Sequence, residues 1–310
     1  MISLTEVSGL KITTLLDNLT QSTGPVGHWG YSALLEYEMD GRRRRVLLDT
    51  GSDPYCFLRN LKELEINLSG IDSIVLSHGH YDHTSSTVEA LKAAGDVRVF
   101  THPSAFSPAY IVNEKGEKRR ISIPDCQGIR AIEAAGGEVT LSRTPIEAAP
   151  GVWVTGEVPR KSFETVMELG KSRLVKAEGG SEALDSIPDD QSLFLCEKGV
   201  GLVVVTGCAH SGSINILRHV EEITGERVKA LIGGIHLMSR KPEYTKATVD
   251  GLAGFGLQLL SPCHCTGFTA MAELARAFPA SYELNYSGRI IEPAEILRER
   301  LDHARSRIEG

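Results

Sequence analysis

The chain has 310 residues, 41% hydrophobic, 24% charged and 6% aromatic, a balance that suits an enzyme with a full core. Its net charge of −7 argues against a nucleic-acid partner, and no long apolar run or charged-then-apolar leader points to a membrane span or export. The six cysteines, Cys56, Cys126, Cys196, Cys208, Cys263 and Cys265, include no Cys-x-x-Cys pair, so reduced thiols in a cytoplasmic protein are expected rather than a disulfide framework.

Residues 10–16 alternate loosely and predict a first strand, followed by Asp17-Asn18 and a polar loop through Gly30. Residues 32–38 and 45–48 predict two strands joined by Met39-Asp40-Gly41, because Asp-Gly between extended runs signals a hairpin. The basic run Arg42 to Arg45 reads as a solvated hairpin turn rather than a phosphate-binding patch. The second strand ends in Asp49-Thr50-Gly51, and residues 55–64 predict a helix.

Residues 71–76 form an apolar run that reads as a buried strand. It leads into Ser77-His78-Gly79-His80-Tyr81-Asp82-His83-Thr84, with four potential metal ligands within six residues. A strand that ends in His-x-His sends both imidazoles to one side, because side chains alternate with period 2. The chain then turns and aims Asp82 and His83 elsewhere. The hexapeptide can therefore feed two adjacent cations, with His78 and His80 on the first and Asp82 and His83 on the second. Imidazole and carboxylate together suit zinc, iron or manganese.

Thr84, Ser85 or Ser86 can cap a helix that runs to residue 93. Residues 97–101 predict a strand ending at His102-Pro103, where His102 reads as structural or pocket lining. Residues 104–190 are less regular and read as an insertion or lid. Within them, 139–141 and 152–155 are short apolar runs, and the polar, glycine-rich 170–190 predicts a mobile loop.

Residues 191–197 and 201–206 predict a hairpin around Lys198-Gly199, ending in Gly207-Cys208-Ala209-His210. A helix over 213–223, a strand over 228–232 ending in Gly233-Gly234-Ile235-His236, and a helix over 245–253 follow. A strand over 258–261 then ends in Pro262-Cys263-His264-Cys265. A helix to residue 277, a short strand pair and an amphipathic helix over 293–307 close the chain. One unit thus recurs: an apolar strand, a turn holding a histidine, then a helix, at His80, His210, His236 and His264. Ligands on several strand ends can converge on one sheet edge, so a composite metal site is expected. Extended alternation would turn Cys263 and Cys265 away from His264, so packing is expected of both thiols.

The motif His78-x-His80-x-Asp82-His83 resembles the signature of the metallo-β-lactamase superfamily. Within it, the chain is similar to the dihydropterin-ribofuranosylaminobenzene phosphate synthase-like branch. Besides that motif, the residues carrying the likeness are Leu48-Asp49-Thr50-Gly51, Gly156-Glu157-Val158-Pro159-Arg160 with Phe163-Glu164, Asp189-Asp190-Gln191-Ser192-Leu193, the Gly207–Gly212 turn and Ser261-Pro262-Cys263-His264-Cys265-Thr266-Gly267. The resemblance implies an α/β fold, a four-layer αββα sandwich, here one domain over 1–310 with a lid at about 104–190. It implies one or two divalent metal ions, zinc first, with manganese, iron or magnesium as alternatives. One would take His78, His80 and His210, the other Asp82, His83 and His264, with Asp49 accepting from a metal-bound histidine. The superfamily commonly places a bridging Asp where this chain has His236. Imidazole bridges two cations poorly, so His236 is expected to face substrate or bind the second metal weakly.

The expected function is metal-dependent hydrolysis of a small phosphorylated or pyrophosphorylated substrate, or a pterin-type transfer in which an arylamine displaces pyrophosphate. Asp82 would orient a metal-bound water, and His236 is the further catalytic candidate. Arg160 and Lys161 are either substrate-phosphate contacts or solvated surface charge. A nuclease of the same fold and a non-catalytic metal-dependent ligand-binding protein are the alternatives. The substrate and the oligomeric state are not encoded in any motif.

Overall fold

The computed structural model describes residues 1–164, 171–178 and 181–309. Two sheets share one strand, Glu6–Leu16. Its start pairs with Ser192–Glu197, placing Glu6 opposite Cys196, and its later part pairs with Ser32–Met39, placing Ile12 opposite Leu35. A register shift between Ser8 and Lys11, with Gly9 at φ 61°, passes the strand from one sheet to the other. The first sheet continues through Gly201–Thr206, Val228–Gly234 and Leu259–Cys263, with Val152–Val154 and Ile146–Ala149 on its other side. The second continues through Arg42–Leu48, Ser73–Val75, Val97–Thr101 and Gly137–Leu141.

Strand alternation sorts the apolar side chains into layers. Val203 and Val205 of the first sheet meet Leu35, Val46, Leu48 and Val75 of the second in one cluster between the sheets. Leu202 and Val204 face outward, onto Ile216, Leu217, Leu252 and Leu274 of helices Ser213–Thr224, Pro242–Ala253 and Phe268–Ala277. Leu34, Leu47 and Ile74 face outward on the second sheet, onto Phe57, Leu61, Leu91 and Ile132 of helices Pro54–Glu63, Thr87–Ala94 and Ile129–Ala134. These three clusters fill the three interfaces of a helix–sheet–sheet–helix sandwich. Strands covered on both faces must be apolar on both, which is why they read as unbroken runs.

Several expectations change. The Arg42 to Arg45 run lies in strand Arg42–Leu48; the turn itself is Asp40 and Gly41, both at positive φ. Arg43 pairs with Glu36, Arg44 pairs with Asp72, and Arg45 donates to the carbonyls of Asn67 and Ser69, so the charges tie this strand to its neighbour and to the 67–72 loop. The helix expected after the histidine motif is present as Thr87–Ala94 with Ser86 at its N-cap, and a further short turn, Tyr81–Thr84, lies within the motif itself. The closing strand pair is the short strand Ile290–Ile291 against Glu6–Leu16.

Residues 104–190 are not one inserted piece. Gly137–Leu141, Ile146–Ala149 and Val152–Val154 belong to the main sheets. The rest supplies a separate four-stranded sheet, in the order Ser181–Leu184, Arg173–Glu178, Ala109–Val112, Lys118–Arg120. The expected loop at 170–190 is thus largely a hairpin; residues 170, 179 and 180 lie outside the described residues. Part of its polarity is a buried ion-pair network, in which Lys176 sits against Asp185 and Asp189. Among the described residues, no helix is long and apolar enough to cross a membrane.

Candidate metal centre

Parallel strands Gly201–Thr206, Val228–Gly234 and Leu259–Cys263 end on one edge of the first sheet, and their turns deliver His210, His236 and His264. Strand Ser73–Val75 of the second sheet delivers His78 to His83 to the same place. The loop is pinned at both ends: Gly79 N donates to Asp189 Oδ2 (2.8 Å) and Tyr81 N to the Ile121 carbonyl (2.9 Å). Asp190 accepts from Ser211 N (2.8 Å), and Glu164 accepts from Ile214 N (2.9 Å) at the start of the following helix. Asp49, Ala209, His236 and His264 all hold φ between 45° and 57°. Left-handed conformations in non-glycine residues cost energy and collect at functional sites.

The predicted ligands form two groups. His78 Nε2 lies 3.0 Å from His80 Nδ1, and the His210 ring centre lies 4.8 and 4.9 Å from theirs. His83 Nε2 lies 3.2 Å from His264 Nε2, which lies 3.7 Å from Asp82 Oδ2. Within each group the ligand atoms lie within 4.8 Å of one another. Two nitrogens bound to a tetrahedral zinc at about 2.0–2.1 Å stand about 3.3 Å apart, so both groups suit a divalent cation. Among the described residues, buried His210 has no hydrogen-bond partner at either ring nitrogen, which is costly unless a cation takes a lone pair.

Carboxylate and amide groups behind the ligands set their tautomers. Asp49 Oδ2 accepts from His83 Nδ1 (2.6 Å) and from Ser77 Oγ (2.7 Å), while Ser77 Oγ accepts from His78 Nδ1 (2.9 Å). The Nε2 lone pair of His78 is thereby left facing the site, and His83 turns its Nε2 the same way, the ring giving up that proton when a cation takes its place. His264 Nδ1 bonds Asn18 Oδ1 (3.0 Å), and His264 N donates to Asp17 Oδ2 (2.7 Å). Burial and the neighbouring imidazoles hold His78 and His210 well below the usual histidine range, and burial takes His80 down to about 4. All three are neutral at pH 7, the form that binds metal. Burial would also lower His83, but the Asp49 carboxylate outweighs it and lifts His83 to about 9. Burial would raise Asp82; the imidazoles of His83, His264 and His80 keep it below the usual carboxylate range.

A cavity of about 160 Å³ opens onto both groups. Its walls include Trp29, Tyr81, Ile111, Ile121 and Leu174, with Arg119 as their cation. Arg160 and Lys161 are not among the residues that line this cavity. Arg160 donates to the backbone carbonyls of His210 (2.7 Å), Ile187 (3.1 Å) and Ser186, and Lys161 pairs with Glu222 on the surface (2.7 Å). His102 is structural, accepting from Ser104 N and bonding Glu157. His236 lines the cavity with its ring centre 4.2 Å from that of His210.

Sequence reasoning missed Ser77, Asn18, Arg119 and Cys208, whose Sγ lies 3.1 Å from His83 Nε2. The adjacency of Asp17-Asn18 to a strand end was the one local signal for Asn18. The alternation argument for the Cys263 and Cys265 pair fails because His264–Thr266 is a 3-10 turn. Cys263 packs between the sheets as expected, whereas Cys265 lines the cavity. Burial pushes the Cys208 thiol up. Against the same burial, a hydrogen bond from Cys208 and the nearby imidazoles of His264 and His236 hold Cys265 well below the ordinary thiol range.

The sequence profile of the metallo-beta-lactamase superfamily matches residues 30–214. The chain is 32% identical over 303 residues to a Methanocaldococcus jannaschii protein named 7,8-dihydropterin-6-methyl-4-(beta-D-ribofuranosyl)-aminobenzene-5'-phosphate synthase, covering 94% of this chain and 99% of that one. An uncharacterized protein of the same organism is 30% identical over 268 residues, covering 86% and 94%. The crystal structure of a metal-dependent hydrolase of the beta-lactamase superfamily aligns with a TM-score of 0.75 at 27% identity, covering 91% of this chain and 98% of that one. The shared profile, the length of the matches and the common sandwich establish that the chain belongs to the metallo-beta-lactamase superfamily, in its dihydropterin-ribofuranosylaminobenzene phosphate synthase-like branch.

Proposed function

We propose that the chain is a metal-dependent enzyme acting on a small phosphorylated or pyrophosphorylated substrate. The observation that carries this reading is the pair of three-residue ligand groups, His78/His80/His210 and Asp82/His83/His264, opening onto one cavity. Divalent cations bound there, zinc first among them, would lower the pKa of coordinated water and polarise a phosphoryl oxygen. Asp82, anionic and beside His264, would orient the attacking group. His236 would contact substrate from beside His210, and Arg119 would pair with a substrate anion. Trp29, Tyr81, Ile111 and Leu174 would cover its apolar part and exclude water. The small sheet that contributes Ile111, Arg119 and Leu174 serves as the lid of one domain spanning 1–310. A cytoplasmic location belongs to the same proposal and rests on six cysteines left as thiols.

Hydrolysis and pterin-type transfer would use the same residues. The 32% identity to a protein named as a synthase favours transfer. A nuclease would need more basic surface than Arg119 provides, and a binding protein would not need ligands poised on both sides of one cavity. The test is a panel of phosphoesters and pyrophosphorylated pterins, with and without an arylamine, on protein loaded in turn with zinc, manganese, iron and magnesium. Metal-dependent turnover of a small substrate is expected, and Arg119→Ala should raise its KM about tenfold, the loss of one charge-assisted hydrogen bond. Efficient cleavage of RNA or duplex DNA, or no turnover at full metal occupancy, would overturn the proposal.

A further inference from the structure

Cys208, His236 and Cys265 bring their ligand atoms within 4.8 Å of one another, outside the two groups above. They come from three turns at the ends of neighbouring strands. Both thiols are buried, and all three residues line the cavity. Cys208 also belongs with His78 and His83 to a further set within 4.8 Å. Its sulfur therefore lies between the imidazole cluster and the Cys265–His236 pair.

The backbone is built around this approach. A side chain at Gly234 would place Cβ 2.8 Å from Cys265 Sγ, and one at Gly207 would place Cβ 2.7 Å from Asp49 Oδ2. Glycine at 234 lets its turn close onto Cys265, and glycine at 207 lets the turn that carries Cys208 close onto Ser77 and Asp49. Ile235 N donates to Thr266 Oγ1 (3.2 Å) and Met238 N to the Cys265 carbonyl (2.9 Å), locking the turns of His236 and Cys265 together. The 3-10 turn at His264–Thr266 lets two successive residues, His264 and Cys265, both reach the cavity.

Neutral imidazole offers one lone pair to one cation, whereas thiolate sulfur can serve two. We propose that Cys208, His236 and Cys265 hold a thiophilic cation such as zinc, cadmium or cuprous copper, with Cys208 shared with the adjacent imidazole position. This inference rests on the reading of His78 and His83 as metal ligands. Cys208 and Cys265 would bind as thiolates, any thiol proton passing to solvent, and His236 would donate a ring-nitrogen lone pair. Two soft sulfur ligands would select against magnesium and manganese. Plain packing of the sulfurs predicts none of this.

The test titrates the metal-free full chain with cobalt(II) and with cadmium, reading near-ultraviolet thiolate-to-metal absorption and alkylation of each cysteine by mass spectrometry. Saturable absorption is expected, with alkylation of Cys208 and Cys265 slowed at least tenfold. Cys265→Ser should lose part of the absorption and Cys208→Ser most of it. If either variant fails to fold, the wild-type absorption and protection decide. Full metal occupancy without thiolate absorption, or equal alkylation with and without metal, would overturn the proposal. Turnover of small phosphorylated substrates without thiolate absorption would sink this inference and leave the functional reading standing; thiolate absorption without turnover would do the reverse.

Discussion

Asp49 shows how much one residue can set. It takes the backbone N–H and hydroxyl of Ser77 and the Nδ1–H of His83, and so orients two histidines at once. It does this from φ 56°, a conformation that Asp and Asn tolerate better than most residues. Asn in its place keeps the size and backbone preference but removes the charge and brings an NH2 group towards three donors. Asp49→Asn should therefore fold, as read by circular dichroism, and bind zinc about 10–100-fold more weakly, as read by competition with a chromophoric chelator. Unchanged affinity would show that the histidines are oriented without Asp49.

At the scale of elements, most of the sandwich is readable because its strands are covered on both faces, so 46–48 and 202–205 stand out as apolar runs before glycine-bearing turns. The histidine positions are readable because ligands cluster where those strands end. The small sheet was not, because its strands 109–112 and 173–178 pair across some sixty residues with no local turn to announce it. The placement of Arg160 was not readable either, because a long side chain can turn back to carbonyls at His210 and Ile187, which no motif encodes. Strand Glu6–Leu16 holds another such contact. Where it passes between sheets, Leu10 N donates to Glu197 Oε1 (3.0 Å) across the bulge. Burial, opposed by that hydrogen bond, pushes Glu197 up to about 7. A carboxyl raised in the folded state binds its proton there while the unfolded chain has lost it, so stability falls as pH rises from about 4.5 to 7, by at most about 3 kcal/mol. Gln can still accept from Leu10 N and does not titrate. Urea unfolding should show Glu197→Gln gaining on the wild type between pH 5 and 8; a constant difference across that range would rule this linkage out.

For the whole molecule, the ligands divide between the two sheets. His78, His80, Asp82 and His83 follow a strand of the second sheet, and His210 and His264 follow strands of the first. The sheets are otherwise joined by the shared strand Glu6–Leu16 and the apolar layer between them. A cation taking His78, His80 and His210 ties one sheet edge to the other, and an unfolded chain offers no such site. Metal binding is then linked to folding: at a thousand times its dissociation constant, the cation stabilises by about 4 kcal/mol. In a chain of this size that corresponds to a shift of roughly 5–10 °C in Tm. His210→Ala leaves the second sheet's ligands intact but removes the first sheet's contribution to this group, so it separates tying the sheets from merely filling a loop. Scanning calorimetry of protein with verified metal content should show the wild type losing that margin to a chelator. His210→Ala should lose far less. Equal losses in both would place the stabilising cation away from His210, at Asp82, His83 and His264 or within the 78–83 loop, and no loss in either would mean that the sandwich stands without it.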